Sequence, residues 1–250
     1  MFEAVLFDLD GTLLDIDMDV FLQYYFRAMG KMAAEKEFGD PAQLVELVTR
    51  CTWNMAKNES AEGTNEEVFM KEFLANWPYS ESQANAFFDE FYATEFPLLQ
   101  GHCKAFPGVK EMMSELCKHD LKIVIATQSV FPIVAIQKRL EWAGVGDYPY
   151  SLVTSFEHMH YCKPSVEYFR EIVDRIGVNS ANCLMVGNDT GEDLPANKLG
   201  MKTFLLENRL IDKGDSPYRP DWRGRLPDLF HFMHETFGDS ANAQLYNRHK

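Results

Sequence analysis

From about residue 17 to about residue 101 this chain offers no convincing strand, yet elsewhere short apolar runs alternate with helical patterns. That break constrains the architecture more than any other feature. The apolar runs fall at residues 4–7, 122–126, 151–154, 183–186 and 203–206. Lys122-Ile123-Val124-Ile125-Ala126 is apolar almost throughout, as a strand covered on both faces must be. Helical patterns fall at residues 109–118, 133–142, 165–176 and 193–199. Strands alternating with helices predict an α/β fold with a Rossmann-like parallel sheet and right-handed crossovers. Inside the break, helical patterns run at residues 20–32, 44–55, 66–74 and 82–92. Asp40-Pro41 and Pro78-Tyr79-Ser80 separate them, with Pro41 suited to a first helical turn. The division expected is therefore a core of residues 1–16 and 101–250 carrying an inserted all-helical unit of residues 17–100. An insertion directly after the first strand stands over that strand's carboxyl end, where open α/β sheets bind ligands.

The first apolar run ends in Asp8-Leu9-Asp10-Gly11-Thr12. Side chains repeat with period two along extended backbone, so two carboxylates at this tip point the same way. An ordinary strand closing in an Asp-Gly turn would look alike locally. Three further signals separate the two possibilities, each at or beyond the end of an expected strand or opening a helix: Thr127-Gln128-Ser129, Lys163-Pro164, and Gly187-Asn188-Asp189-Thr190-Gly191-Glu192-Asp193. Together they supply a carboxylate nucleophile, a second carboxylate for proton transfer, a hydroxyl, a fixed cation and an acidic pair for a divalent ion. That inventory suits attack on a phosphoryl group, whose charge must be offset by a metal and by donors.

These four signals, in this order, resemble the haloacid dehalogenase-like (HAD) hydrolase superfamily with a helical cap inserted between the first two motifs. The resemblance spans residues 2 to about 237. It implies Asp8 as the nucleophile that forms an aspartyl-phosphate, and Asp10 as the general acid/base. By the same resemblance Thr127 and the amides around Gln128 would bind phosphoryl oxygens, with Gly11 serving the turn after the nucleophile. Lys163 would neutralise Asp8 and the phosphate, its stem held by Pro164 at a first helical turn. Mg²⁺ would take the Asp8 carboxylate, the Asp10 carbonyl and Asp189. Asp193 would support this site through water or by orienting it. Asn188 stands where many relatives carry an acid. An intact Asp10 favours phosphate esters, because dehalogenases of this superfamily need no proton donor at that position. The implied activity is a Mg²⁺-dependent phosphatase acting on a small phosphorylated metabolite. A phosphomutase of the β-phosphoglucomutase type is the alternative, followed by a 2-haloacid dehalogenase and a catalytically idle binding protein of the same fold.

A formal charge of −14 disfavours a nucleic-acid or anionic-membrane surface, and no stretch has the apolar length to span a bilayer. Five cysteines without a CxxC pair, and no basic-then-apolar leader, lead to the expectation of a reduced, cytoplasmic setting. A monomer or weak homodimer is expected. His158-Met159-His160-Tyr161-Cys162 alternates soft ligands, yet a tetrahedral metal site would need more from elsewhere; the segment reads as a loop or strand end flanking the cleft mouth, with His158 or His160 touching substrate ranked ahead of a metal site. His231 and His234 are expected along a surface helix with Phe230 and Met233. Asp15, Asp17 and Asp19 read as helix caps and a solvated linker. The insertion's aromatics, such as Phe21, Phe73 and Phe91, read mostly as its core, with the remainder free to line a substrate pocket. Residues 242–250 read as a frayed polar tail.

Overall fold

A computed structural model describes residues 2–238, so the expected tail at 242–250 lies outside the described residues. In chain order the elements are β1 (Ala4–Phe7), β2 (Leu14–Ile16), α1 (Met18–Glu35), α2 (Pro41–Ala56), α3 (Asn65–Asn76) and α4 (Glu81–Thr94). After a 3₁₀ segment, Phe96–His102, come β3 (Cys103–Ala105), α5 (Val109–Leu116), β4 (Lys122–Ile125), α6 (Ile133–Trp142) and β5 (Leu152–Val153). The chain continues through α7 (Val166–Ile176), β6 (Cys183–Gly187), β7 (Lys202–Leu206), β8 (Trp222–Gly224) and α8 (Leu226–Phe237).

Six strands form one sheet in the order β5-β4-β1-β6-β7-β8, and each neighbouring pair is parallel. Phe7 pairs in register with Ile125 on one side and Val186 on the other. The chain therefore leaves β1, β4 and β6 at nearly one level: Asp8 emerges level with Ala126 and Gly187, and Thr127 and Asn188 follow one residue beyond. Alternation along β1 sends Val5 and Phe7 into one apolar cluster and Ala4 and Leu6 into another. Both faces are covered, as a parallel sheet requires.

β2 and β3 pair antiparallel and bracket the helical insertion. Each of its helices begins on a side-chain cap. Asp17 accepts from the Val20 amide, Asp40 from Gln43 with Pro41 next, and Thr64/Glu67 and Ser80/Gln83 form reciprocal boxes. Hence the helices start up to three residues before their apolar periodicity does. Phe21, Tyr25, Phe69, Phe73, Phe87 and Phe91 are buried there, whereas Trp53 is 62% exposed.

Several expectations are corrected. The run at 151–154 is strand only over Leu152–Val153, and residues 194–199 are 3₁₀ rather than α. Pro164 precedes α7, whose N-cap is Ser165, and so lies outside the first helical turn. β2, β3 and β8, of three residues each, escaped detection because three residues carry no period. The helix holding His231 and His234 is packed through Leu226, Leu229 and Met233, so Met233 belongs to the interior.

Candidate active site

Asp8 follows β1 directly, its amide donating to the Val186 carbonyl at 2.9 Å. The chain then turns tightly, with Leu13 and Leu14 amides both donating to the Leu9 carbonyl. Gly11 makes this possible: its φ is +84°, and a Cβ there would sit 2.4 Å from Asn188 Nδ2. Thr12 Oγ1 lies 3.2 Å from Asp8 Oδ2 and 3.0 Å from Asn188 Oδ1. Asn188 in turn donates through Nδ2 to the Arg209 carbonyl at 2.7 Å. Asn188 thus ties the loop after Asp8 to the chain beyond β7.

Lys163 reaches the same place from a loop 155 residues away. Its Nζ donates to Asp8 Oδ1 at 2.8 Å and to Asp193 Oδ1 at 2.7 Å, and the lysine is buried. The side-chain amide of Gln128 fixes the Lys163 backbone twice, donating to its carbonyl and accepting from its amide, both at 3.0 Å. Asp193 Oδ2 accepts from the Asp189 amide at 2.9 Å. It crowds the end of β6 so closely that a Cβ on Gly187 would lie 2.1 Å away. Burial works against the Lys163 charge, but Asp193 and Asp8 outweigh it and hold the ammonium well above the ordinary lysine range. Burial pushes the Asp8 carboxyl up to about 7 against the pull of Lys163. It pushes Glu192, a neighbour that motif reading passed over, up to about 7 as well, and raises Asp189.

Asp10 meets a cation that no motif announced. Arg139, on α6 and fully buried, donates through Nη1 to Asp10 Oδ2, and its guanidinium carbon lies 4.4 Å from the centroid of Phe131. Asp10 Oδ1 and Arg139 Nη2 are buried without partners. One signal pointed here: Ala135, Ile136 and Leu140 define the apolar face of α6, and Arg139 stands on that face. Thr127 is buried, its carbonyl held by Thr154 Oγ1 at 2.9 Å and Tyr168 Oη at 2.7 Å.

Asp8, Asp10, Thr127, Gln128, Asn188 and Asp189 border one cavity of about 520 Å³. Among the described residues no group of three or more His, Cys, Asp or Glu side chains gathers as a ligand set. A cation here would take two carboxylates, Asp8 and Asp189, and the Asp10 main-chain carbonyl. Those donors are all hard oxygen and fit Mg²⁺, which keeps waters and substrate oxygens in its other positions. Asp189 Oδ1 accepts from the Gly191 and Glu192 amides at 2.6 and 3.0 Å, which orients the carboxylate. The carboxyls raised by burial are a concentration of acid that a divalent charge relieves.

The histidine loop has another use. His158 Nδ1 lies 3.2 Å from Ser155 Oγ, and His160 Nδ1 lies 2.8 Å from Glu171. Neither borders the cavity. The loop is instead the ledge on which α3 docks. Asn65 and Glu66 amides donate to the carbonyls of Met159 and Phe156, and the buried Asn65 side chain reaches Ser129 and the Tyr161 carbonyl. Asp17 caps α1 and Asp15 pairs with Arg209 at 2.6 Å, so these acids are accounted for outside the chemistry.

A family model described as a haloacid dehalogenase-like hydrolase matches residues 2–199. The phosphoglycolate phosphatase of Neisseria meningitidis is 25% identical over 238 residues, covering 91% of this chain and 92% of that protein. Among solved structures, a HAD phosphatase from Thermococcus onnurineus superposes with a TM-score of 0.55 at 18% identity, over 94% of this chain and 97% of the other. An L-2-haloacid dehalogenase from Xanthobacter autotrophicus gives 0.55 at 15% identity, over 94% and 99%.

Proposed function

Because the chain belongs to the haloacid dehalogenase-like hydrolases, we propose that it is a Mg²⁺-dependent phosphatase that hydrolyses a small phosphorylated metabolite through an aspartyl-phosphate on Asp8. The observation that carries this reading is the buried Asp8–Lys163–Asp193 chain at the floor of the cavity, with Asp10 two residues beyond the nucleophile. Similarity to the N. meningitidis phosphoglycolate phosphatase supports ester hydrolysis as the reaction.

Asp8 attacks phosphorus in line, the ester P–O bond breaks, and Asp10 gives its proton to the departing alcohol oxygen. Water then attacks the aspartyl-phosphate, Asp10 takes the water's proton, and release of inorganic phosphate restores Asp8. Lys163 stays charged throughout and offsets the charge that builds on the phosphoryl oxygens. Thr127 and the amides near Gln128 hold those oxygens. Mg²⁺, bound by Asp8, Asp189 and the Asp10 carbonyl, would supply Lewis-acid polarisation of the phosphoryl group. Arg139 bonds Asp10 Oδ2 from α6 and orients the carboxyl. The helices over the cavity would exclude bulk water as the alcohol departs.

Asp8→Asn tests the reading. Turnover of para-nitrophenyl phosphate in Mg²⁺ should be abolished, together with beryllofluoride binding at residue 8. Undiminished turnover by the verified variant removes Asp8 as nucleophile, and undiminished turnover of the native protein after exhaustive chelation removes the metal.

A further inference from the structure

The floor and roof of the cavity differ in chemistry. All of its acids, Asp8, Asp10, Asp189, Glu192 and Asp193, come from the sheet side. The roof is one face each of α1 and α2. Met18, Leu22, Tyr25 and Phe26 recur at i, i+4, i+7 and i+8 along α1, and Val48, Thr52, Trp53 and Ala56 fall at i, i+4, i+5 and i+8 on α2, again on one side of the helix. Thr49 also borders the space, but its hydroxyl donates to the Val45 carbonyl at 2.7 Å. The Tyr25 hydroxyl is engaged with Tyr92 at 2.8 Å.

No lysine, arginine or histidine borders this cavity among the described residues. Cations on neighbouring segments already have partners. Lys163 bonds Asp8 and Asp193, and Arg139 bonds Asp10 from beside Phe131. Lys57 lies over the Trp53 ring, 4.3 Å from its centroid, and Arg209 pairs with Asp15. An anionic group on the alcohol half of the substrate would be desolvated against apolar side chains and would face five acids, with no partner for its charge.

Resting on the phosphatase reading above, we propose that the ester this site takes is the monophosphate of an uncharged, largely apolar alcohol, aromatic or branched aliphatic, and that carboxylate-bearing esters such as phosphoglycolate are disfavoured. The space suits such a group: cavities of a few hundred Å³ enclose organic ligands with most of their surface buried. Trp53, which is exposed and borders the cavity, is the natural face for an aromatic ring.

The test compares kcat/KM in Mg²⁺ for phenyl phosphate, 4-carboxyphenyl phosphate and phosphoglycolate. The para-carboxylate leaves the departing phenol no poorer, so a preference for phenyl phosphate reports the wall and not the leaving ability. Native protein should favour phenyl phosphate over its carboxylated partner by about tenfold or more, the cost of one unpaired charge set against an apolar wall. Thr52→Lys, which puts an ammonium in the roof, should narrow or reverse that ratio; Met18→Lys serves if the first variant does not fold. Equal or better use of 4-carboxyphenyl phosphate or phosphoglycolate by native protein overturns the inference and leaves the phosphatase reading standing. A folded lysine variant with an unchanged ratio overturns it too, since this wall would then not meet the leaving group. Hydrolysis of none of the three, with beryllofluoride failing to bind Asp8, fells the phosphatase reading and the inference together.

Discussion

Arg139 holds Asp10 from a helix that no motif marks, and the contact makes the proposed acid/base residue sensitive to a position far along the chain. Replacing Arg139 by Met leaves the Asp10 carboxylate without its cation, a change worth up to about 3–5 kcal/mol for buried pairs. We expect a matching fall in stability by denaturant titration and a drop in kcat of about tenfold or more with KM little changed, as for a lost proton-transfer group. Arg139→Lys should restore part of both. Adding Asp10→Asn to Arg139→Met should recover stability but not turnover, which separates positioning from packing. Gly11→Ala makes a second case. The φ of +84° costs an L-residue about 1–2 kcal/mol, and the new Cβ must displace the Asn188 amide that bridges Thr12 to the Arg209 carbonyl. Loss of activity larger than the loss of stability implies is the expected result, and full activity in a folded Gly11→Ala protein would show that the bridge is dispensable.

Elements were legible through their period. The helices of the insertion announced themselves by period 3.6, whereas the starts set by the Thr64/Glu67 and Ser80/Gln83 boxes lie one residue before that periodicity. The ribbon of β2 and β3 was hidden because it is made by pairing residues about ninety positions apart. The docking of α3 was hidden for the same reason: residues 155–162 attracted attention for their histidines, whereas their carbonyls are what the fold uses. Asn65→Ala removes the side chain that reaches Ser129 and Tyr161 and should cost about 1–3 kcal/mol. Hydrogen exchange should quicken in α3 and in residues 155–162 together, while β1 and β6 stay protected. Exchange that rises uniformly across the molecule would mean Asn65 supports general stability and not this joint.

At the scale of the whole molecule the acids of the cavity set a dependence on pH and metal. Asp8 and Glu192 are raised in the folded protein to about 7 from an ordinary carboxyl range near 4. Between those values the folded form binds more protons than the unfolded one, so these groups lower stability as pH rises, and the loss is complete above about 7. The metal-free protein should therefore show a melting temperature that falls across this window, and Glu192→Gln should flatten the fall. Mg²⁺ competes with protons for ionised oxygens, so the stabilisation it gives should grow with pH; a Mg²⁺ effect independent of pH would place the ion elsewhere. Asp8, Asp10, Lys163, Asp189 and Asp193 were legible in the sequence because each stands a fixed step from the end of a strand or the start of a helix, and such spacings depend only on near neighbours. The α/β core and its helical insertion were legible for the same reason, through periodicity. Tertiary structure alone decided that Arg139 meets Asp10, that Gln128 and Asn188 serve as struts, and that one face of α1 and α2 turns apolar side chains toward the cavity that Asp8 borders. Those outcomes depend on how α6 packs along β2 and β3 and how the insertion settles on the sheet. Contacts between distant segments are set by the packing of whole surfaces, and no local pattern encodes which surface arrives.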